Sequence, residues 1–191
     1  MTYYSSNALY DEIEKQEIQH LKFVSGNAWQ LIYGNANCSP LLLVFIMGKT
    51  KHDFGNSLTV KELEATNLFV NLSHKSGLPF LSLQFRIDSK EIKNILFSSD
   101  GHCFEEKSLT ELQKIYSNFS LPISNTPTGK YLNDKTSSAY HDWQRKTLGR
   151  ALNVSDVDLW RLNENEEPTV LYELKRSYYS LERWKPFTRY A

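Results

Sequence analysis

Two carboxylates and a lysine near the carboxyl end of the chain, Asp158, Glu173 and Lys175, have types and spacing that suit a chemical site. They lie in or directly after two segments rich in β-branched and aromatic residues, 156–162 and 169–176, which are joined by an acidic link ending in proline. Because such a link cannot continue either arm as a helix, the pattern predicts a β-hairpin. A hairpin of this kind brings an aspartate, a glutamate and a lysine to one point.

Side chains alternate between the two faces of a strand, which determines which of these residues can act together. In the second arm, Glu173 and Lys175 share a face with Leu171, at the end of a largely apolar run. In the first arm, Asp156 shares a face with Asp158. We therefore expect carboxylates of the first arm beside the Glu173–Lys175 pair.

Asp158, followed on the next strand by Glu-Leu-Lys at 173–175, resembles the core of the PD-(D/E)xK nucleases, which are restriction-endonuclease-like. The resemblance covers residues 138–177 and depends on a short motif. It implies that Asp158 and Glu173 bind Mg²⁺ or Mn²⁺ together with the carbonyl of Leu174, and that the lysine orients or activates water. The chemistry fits, because Mg²⁺ prefers a few hard oxygen ligands and keeps several waters. A bound metal can polarise a phosphodiester and lower the pKa of its water.

A helix is predicted ahead of the motif, from about Ser138 to Leu152, with Trp143 on one of its faces. In the nuclease family a helix in this position often supplies an acidic or amide residue to the site. The resemblance therefore implies Gln144 as a further catalytic residue. His141 is the alternative from the same helix, and Asp156 is a second supporting group.

The resemblance also implies a DNA substrate and contacts to its phosphates. Basic residues follow the motif and would draw a negative substrate: Arg176, Arg183, Lys185 and Arg189. Aromatic residues are interleaved with them, an arrangement that suits base stacking, although docking of these rings onto the core explains it as well. Cleavage of both strands needs two sites, which favours a homodimer or a partner subunit.

The expected fold class is α/β or α+β, with a mixed central sheet flanked by helices. We expect the 156–176 hairpin to be central in this sheet, with the 138–152 helix packed on one face. Three regions are predicted along the chain: an N-terminal α+β recognition or accessory region at 1–120, a linker at 121–137 and a nuclease-like core segment at 138–191.

The nuclease core normally continues beyond its lysine strand into a helix and a further strand. Here only residues 177–191 follow the motif, and Pro186 interrupts any helix there. We therefore expect the N-terminal half or a partner subunit to supply the missing strands, unless the chain is truncated at 191.

Elements of the N-terminal half follow from periodicity and capping. A helix is predicted from about 7 to 24, and the apolar run Leu41–Met47 predicts a strand buried on both faces. Residues 80–87 alternate between apolar and polar, which predicts a half-exposed strand. Thr59–Glu62 and Ser108–Glu111 have the spacing of capping boxes that open helices.

Composition excludes several classes of function. The net charge of zero argues against a protein that coats nucleic acid. The two cysteines, Cys38 and Cys103, lack metal-ligand spacing and are expected to be free thiols in a reducing compartment. No signal peptide is apparent and no apolar run is long enough to cross a bilayer, so an intracellular, cytoplasmic location is expected. Glycine-rich nucleotide loops, zinc-type histidine spacing and a Gly-x-Ser-x-Gly elbow are all absent from the sequence.

An alternative of another class stays open: a non-catalytic binding or assembly protein that reuses a nuclease-like fold. In that case Glu173 and Lys175 form a surface ion pair that contributes little to stability. The richness in aromatic residues and the zero net charge suit this alternative.

Overall fold

A computed structural model describes residues 8–24, 26–124, 126–127 and 138–174. Four helices and nine strands lie in this part of the chain. In order, they are α1 (Ala8–Lys15), β1 (Leu21–Lys22), β2 (Ala28–Gly34), β3 (Pro40–Lys49), α2 (Val60–Ser76), β4 (Phe80–Arg86), β5 (Ile95–Ser98), β6 (Glu105–Lys107), α3 (Leu109–Asn118), α4 (Ala139–Thr147), β7 (Asn153–Asp156), β8 (Leu159–Leu162) and β9 (Pro168–Tyr172).

The strands form two sheets. The larger has six strands in the order β6-β5-β4-β3-β2-β7, and the smaller has three in the order β1-β8-β9. Strands β3 and β4 are parallel, and α2 provides the crossover between them, whereas the other pairs are antiparallel. The prediction of a mixed α and β fold with a mixed sheet is confirmed at this level.

Strand β3 is the centre of the molecule. Its residues Leu42 to Met47 are fully buried, because both faces of the large sheet are covered. Leu42, Val44 and Ile46 pack in one core cluster, while the intervening side chains pack in a second cluster with Phe69 of α2. The prediction of a strand buried on both faces is confirmed.

Both predicted capping boxes are present. Thr59 caps α2 and Ser108 caps α3, and in each case the glutamate three residues later accepts a hydrogen bond from the backbone of the capping residue. These reciprocal bonds satisfy donors that a helix start leaves unpaired. Helix α2 ends at Gly77, whose φ of 70° is the left-handed conformation that glycine adopts at low cost.

The predicted helix at 7–24 is wrong beyond residue 15. Helix α1 stops at Lys15, Glu17 adopts a left-handed φ of 51°, and Leu21 then pairs with Arg161 of β8. Pairing with a distant strand thus replaces the helix that local periodicity favours.

The predicted half-exposed strand is also wrong. Ser82 and Gln84 supply the polar positions of β4, yet both are almost completely buried. The Gln84 side-chain oxygen accepts the backbone N–H of Gly55, from the loop between β3 and α2, at 3.3 Å. A covering loop therefore removes from solvent a face that the alternation marks as exposed.

The hairpin at 156–176 exists but is not central. Strands β8 and β9 pair with a tight connection at 163–167, and they belong to the small sheet, which is not part of the large one although Trp160 packs in its core. Helix α4 ends at Thr147 instead of Leu152, and Gly149 follows it with a φ of 83°.

The predicted linker 121–137 falls largely outside the described residues. On either side of it the chain shares one core, since Tyr140 and Leu148 pack with Tyr33, and β7 pairs with β2. Within the described residues, no helix is long and apolar enough to cross a membrane. Cys38 and Cys103 are free, as predicted.

Candidate functional site

The chain between residues 153 and 162 passes from the large sheet to the small one, and Asp158 lies at the crossing. Strand β7 ends at Asp156, which pairs with Leu31 of β2. Val157 extends that ladder by donating its N–H to the Gln30 carbonyl at 2.8 Å. Strand β8 begins one residue after Asp158. The prediction that the two aspartates share one strand face is wrong, because the strand leaves one ladder before it joins the next.

Asp158 is held by three hydrogen bonds. Its carboxylate Oδ2 accepts the N–H of Leu174 at 2.6 Å. Its backbone N–H donates to the Tyr172 carbonyl at 2.8 Å, and its own carbonyl accepts the hydroxyl of Tyr10 at 2.9 Å. The carboxylate is thus fixed against the end of β9.

The backbone of Glu173 lies next to Asp158. The Asp158 N–H donates to the Tyr172 carbonyl and its carboxylate accepts the Leu174 N–H, so Glu173 lies between two hydrogen-bond partners of Asp158. The structure therefore brings Asp158 together with Glu173 and Leu174. Their roles in binding a metal and in catalysis stay a prediction.

The donor chemistry of this pair fits Mg²⁺ or Mn²⁺ better than zinc. Two carboxylates and a backbone carbonyl are hard oxygen donors, and Mg²⁺ takes one or two carboxylates while keeping several waters. Zinc sites use three or four side-chain ligands, commonly histidine and cysteine. In the described part of the chain, no three His, Cys, Asp or Glu residues form a group that could hold a metal ion.

The remaining predicted residues of the motif lie outside the described residues. They are the catalytic candidate Lys175 and the four residues proposed to contact nucleic acid, Arg176, Arg183, Lys185 and Arg189. Their assignments stay predictions.

Gln144 lies in a different environment from Asp158. Its side chain is 9% exposed, and its Oε1 accepts the hydroxyl of Tyr33 at 2.7 Å. It lines a cleft of about 400 Å³ together with His141 and Asp156. Of the predicted residues, the structure therefore brings Gln144, His141 and Asp156 together on the β7 side of the crossing.

Three buried tyrosines fix Gln144, and the sequence reasoning missed them. The hydroxyl of Tyr140 lies 2.6 Å from that of Tyr116 and 2.8 Å from that of Tyr33. Because Tyr33 donates to Gln144, Tyr140 donates to Tyr33, and Tyr116 donates to Tyr140. The signal available in the sequence was the unusual number of tyrosines, 11 in all.

This tyrosine chain predicts a loss of stability in alkali. Burial raises the pKa of Tyr33, Tyr116 and Tyr140 well above the ordinary value. In the unfolded chain they ionise near pH 10, so the unfolded state loses protons that the folded state keeps. The free energy of unfolding should therefore be intact below about pH 10 and fall above it.

Urea denaturation across that range, with tyrosinate absorbance as a second signal, measures this effect. The three phenols should ionise only as the protein unfolds. Tyr116→Phe removes one titrating group at the end of the tyrosine hydrogen-bond series. The free energy of unfolding should then fall less steeply with pH. An unchanged free energy of unfolding up to about pH 11 would contradict the prediction.

The cleft beside Gln144 is basic. Arg145 and Arg150 line it along with His141, and Asp156 is the one acidic residue among the described residues of its lining. The Nη1 atom of Arg145 is buried and has no hydrogen-bond partner within the described structure. A guanidinium with an unused donor in a basic cleft suits a phosphate oxygen.

The N-terminal half contains a second hairpin of the same form, formed by β2 and β3. Ala28 pairs with Met47, and Lys49 follows two residues later. In the sequence, Lys175 likewise follows Glu173 by two residues, but neither Ala28 nor Met47 is a carboxylate. The N–H of Gly48 donates to the Asn27 carbonyl, whereas the corresponding N–H of Leu174 donates to the Asp158 carboxylate.

Lys49 of the β2–β3 hairpin is held by a buried ion pair. Its Nζ lies 2.6 Å from both carboxylate oxygens of Glu62, the glutamate of the α2 capping box, and the two side chains are 7% and 15% exposed. The lysine is therefore bound within the fold, and the β2–β3 hairpin serves as an internal comparison for the β8–β9 hairpin.

No known protein family, curated protein or solved structure matches this chain. The interpretation of the candidate site therefore depends on its geometry and on the resemblance of its motif.

Proposed function

We propose that the protein is a metal-dependent endonuclease that hydrolyses phosphodiester bonds in DNA, with a PD-(D/E)xK-like site at the end of the β8–β9 hairpin. The observation that carries this proposal is the hydrogen bond from Leu174 N–H to Asp158 Oδ2. It holds the Asp158 carboxylate against the residue that follows Glu173, which supports a metal site built from these two carboxylates.

Each residue of the motif has a distinct role in this proposal. Asp158 and Glu173 hold Mg²⁺ or Mn²⁺ with the carbonyl of Leu174. When bound, the metal polarises the phosphodiester and lowers the pKa of its water. Lys175 positions that water and stabilises negative charge as it develops. Tyr10, which donates to the Asp158 carbonyl, keeps the aspartate in place.

The basic cleft on the β7 side supports a polyanionic substrate. Arg145 and Arg150 line it, and Asp156, two residues before Asp158, lies on its wall. A DNA backbone bound there would pass about two strand residues, or about 7 Å, from the candidate metal centre at Asp158. Gln144 would contact the backbone or the water from this side, held by its bond from Tyr33.

Cleavage of plasmid and oligonucleotide substrates with Mg²⁺ or Mn²⁺ tests the proposal. The parent protein should cut, and Asp158→Asn and Lys175→Ala should each reduce the rate by a factor on the order of 10²–10⁴. Glu164→Gln is the matched control, because it removes one carboxylate from the exposed turn of the same hairpin. This control should retain the parent rate.

Two outcomes would contradict the proposal. The first is metal-dependent cutting that survives in both site variants, which would place the activity elsewhere or in a contaminant. The second is the absence of cutting on single- and double-stranded substrates while all variants fold as well as the parent.

The β2–β3 hairpin favours a second candidate function, a non-catalytic binding or assembly protein. This hairpin also has a lysine two residues after its last paired position, but that position holds Ala28 and Met47, which are not carboxylates. The same chain thus uses this structural unit without metal ligands. Under this function, Asp158→Asn and Lys175→Ala leave binding of a partner and folding unchanged.

A further inference from the structure

A second cleft lies on the other side of the crossing, between α2 and the small sheet. Its volume is about 490 Å³, within the range of small-ligand sites. Ala65 and Leu68 of α2 line one wall, and Trp160 and Leu162 of β8 line the other. The side chain of Gln30 also lines it. We refer to it as the α2 cleft.

Gln30 lines this cleft and has an unused side-chain donor. Its side chain is 3% exposed, and its Oε1 accepts the indole N–H of Trp160 at 2.6 Å. Because an indole nitrogen only donates, this bond fixes which end of the amide is oxygen. The Nε2 of Gln30 then has no hydrogen-bond partner in the described structure. Buried donors are nearly always paired, so a bound molecule that offers an acceptor would satisfy this one.

The α2 cleft lies close to the candidate metal centre. The Gln30 carbonyl accepts a hydrogen bond from Val157, which precedes Asp158. Trp160 lies two residues after Asp158. A separation of two residues along a strand is about 7 Å. A ligand in the cleft and a phosphodiester at Asp158 can therefore belong to one nucleotide or to neighbouring ones.

The lining of the cleft suits a neutral planar ligand. Phe23, a half-buried ring that stacks on Tyr10 with 4.1 Å between centroids and has the Lys61 ammonium 5.9 Å from its centroid, also lines the cleft. The rim lysines Lys61 and Lys75 are paired with Glu14 and Glu167 respectively. Since these charges are balanced, the cleft does not have the excess of positive charge that a phosphate site needs.

We propose that the α2 cleft binds a nucleobase of an unstacked nucleotide, with Gln30 Nε2 donating to a carbonyl of the base. This inference rests on the proposed nuclease function, because the base belongs to the substrate. Thymine, cytosine and guanine carry such a carbonyl, whereas adenine offers only ring nitrogens as acceptors, so we expect the first three to bind more tightly. Gln30 is then a specificity-determining residue.

Titration of the full chain with thymidine monophosphate and with deoxyadenosine monophosphate, without metal, tests this inference by calorimetry or tryptophan fluorescence. Thymidine monophosphate should bind roughly tenfold more tightly. Gln30→Glu keeps an acceptor for the Trp160 indole but presents a carboxylate where the donor was, so this preference should disappear. Leu68→Trp fills the cleft from the helix side and should weaken both nucleotides.

The outcomes separate this inference from the proposed function. Equal binding of thymidine monophosphate by the parent and both folded variants would overturn it, as would no measurable binding by the parent. Base binding without any metal-dependent cutting would leave the inference standing and count against the nuclease. Metal-dependent cutting by a parent protein that binds the two nucleotides equally would support the nuclease and count against this inference.

Discussion

Asp158→Asn should abolish Mn²⁺ binding while leaving the metal-free protein almost as stable as the parent. The asparagine side-chain oxygen can still accept the Leu174 N–H, so the link between the crossing and β9 is kept. The negative charge is lost, however, so a metal ion that two carboxylates bind in the parent has only one carboxylate ligand in the variant. Loss of an outer-shell partner costs roughly 10–100-fold in metal affinity, and loss of a ligand should cost more.

Asp158→Ala separates the two roles of this carboxylate. It removes the acceptor as well as the charge and leaves the Leu174 N–H unpaired, which should cost about 1–3 kcal/mol of stability. Calorimetric titration with Mn²⁺ and urea denaturation without metal measure both effects. Equal Mn²⁺ affinity in the parent and in both variants would exclude Asp158 as a ligand. Glu164→Gln again serves as the control for a general loss of charge.

The second large effect is expected at the buried ion pair between Lys49 of the β2–β3 hairpin and Glu62 of α2. Lys49→Met or Glu62→Gln should each destabilise the fold by about 3–5 kcal/mol, because either change leaves the partner buried without its counter-ion. The double variant should be far more stable than the sum of the single effects predicts, since it removes both charges together. Urea denaturation of the four proteins gives the coupling free energy directly.

The second capping box provides the control for this cycle. Glu62 also accepts the N–H of Thr59, so Glu62→Gln weakens a helix cap as well as an ion pair. Glu111 makes the same bond to Ser108 at an exposed position. Glu111→Gln therefore measures the cap alone and should cost no more than about 1 kcal/mol. Strict additivity of the Lys49 and Glu62 substitutions would show that the two charges are not coupled.

Local signals predicted the elements whose stability is local. The capping boxes at Thr59 and Ser108 depend on residues three positions apart, and both are present. The apolar run of β3 is too apolar to be exposed on either face. The β8–β9 hairpin follows from a polar turn between two strand-forming arms. In each case the decisive residues lie within a few positions of one another.

The wrong predictions share a different cause. Strand β4 carries polar residues on one face, yet the loop containing Gly55 covers that face. The spacing of Asp156 and Asp158 suits one strand face, but the chain changes sheets between them. Helix α1 ends at Lys15, and Leu21 pairs with Arg161 of β8 instead of continuing the helix. All three outcomes are decided by parts of the chain far away in sequence, which periodicity within one segment does not encode.

The crossing at Asp158 has a consequence for the order of folding. The β8–β9 hairpin needs only neighbouring residues, but the contacts that hold the crossing join positions far apart: 148 residues separate Tyr10 from Asp158, and 130 separate Gln30 from Trp160. Contacts of such long range close late, because the chain must first lose the entropy of the intervening loop. The hairpin can therefore form early, while the surroundings of its aspartate are completed only when both ends of the chain have met. A nascent or partly unfolded chain would carry the motif without its supporting contacts, which links any activity at Asp158 to complete folding.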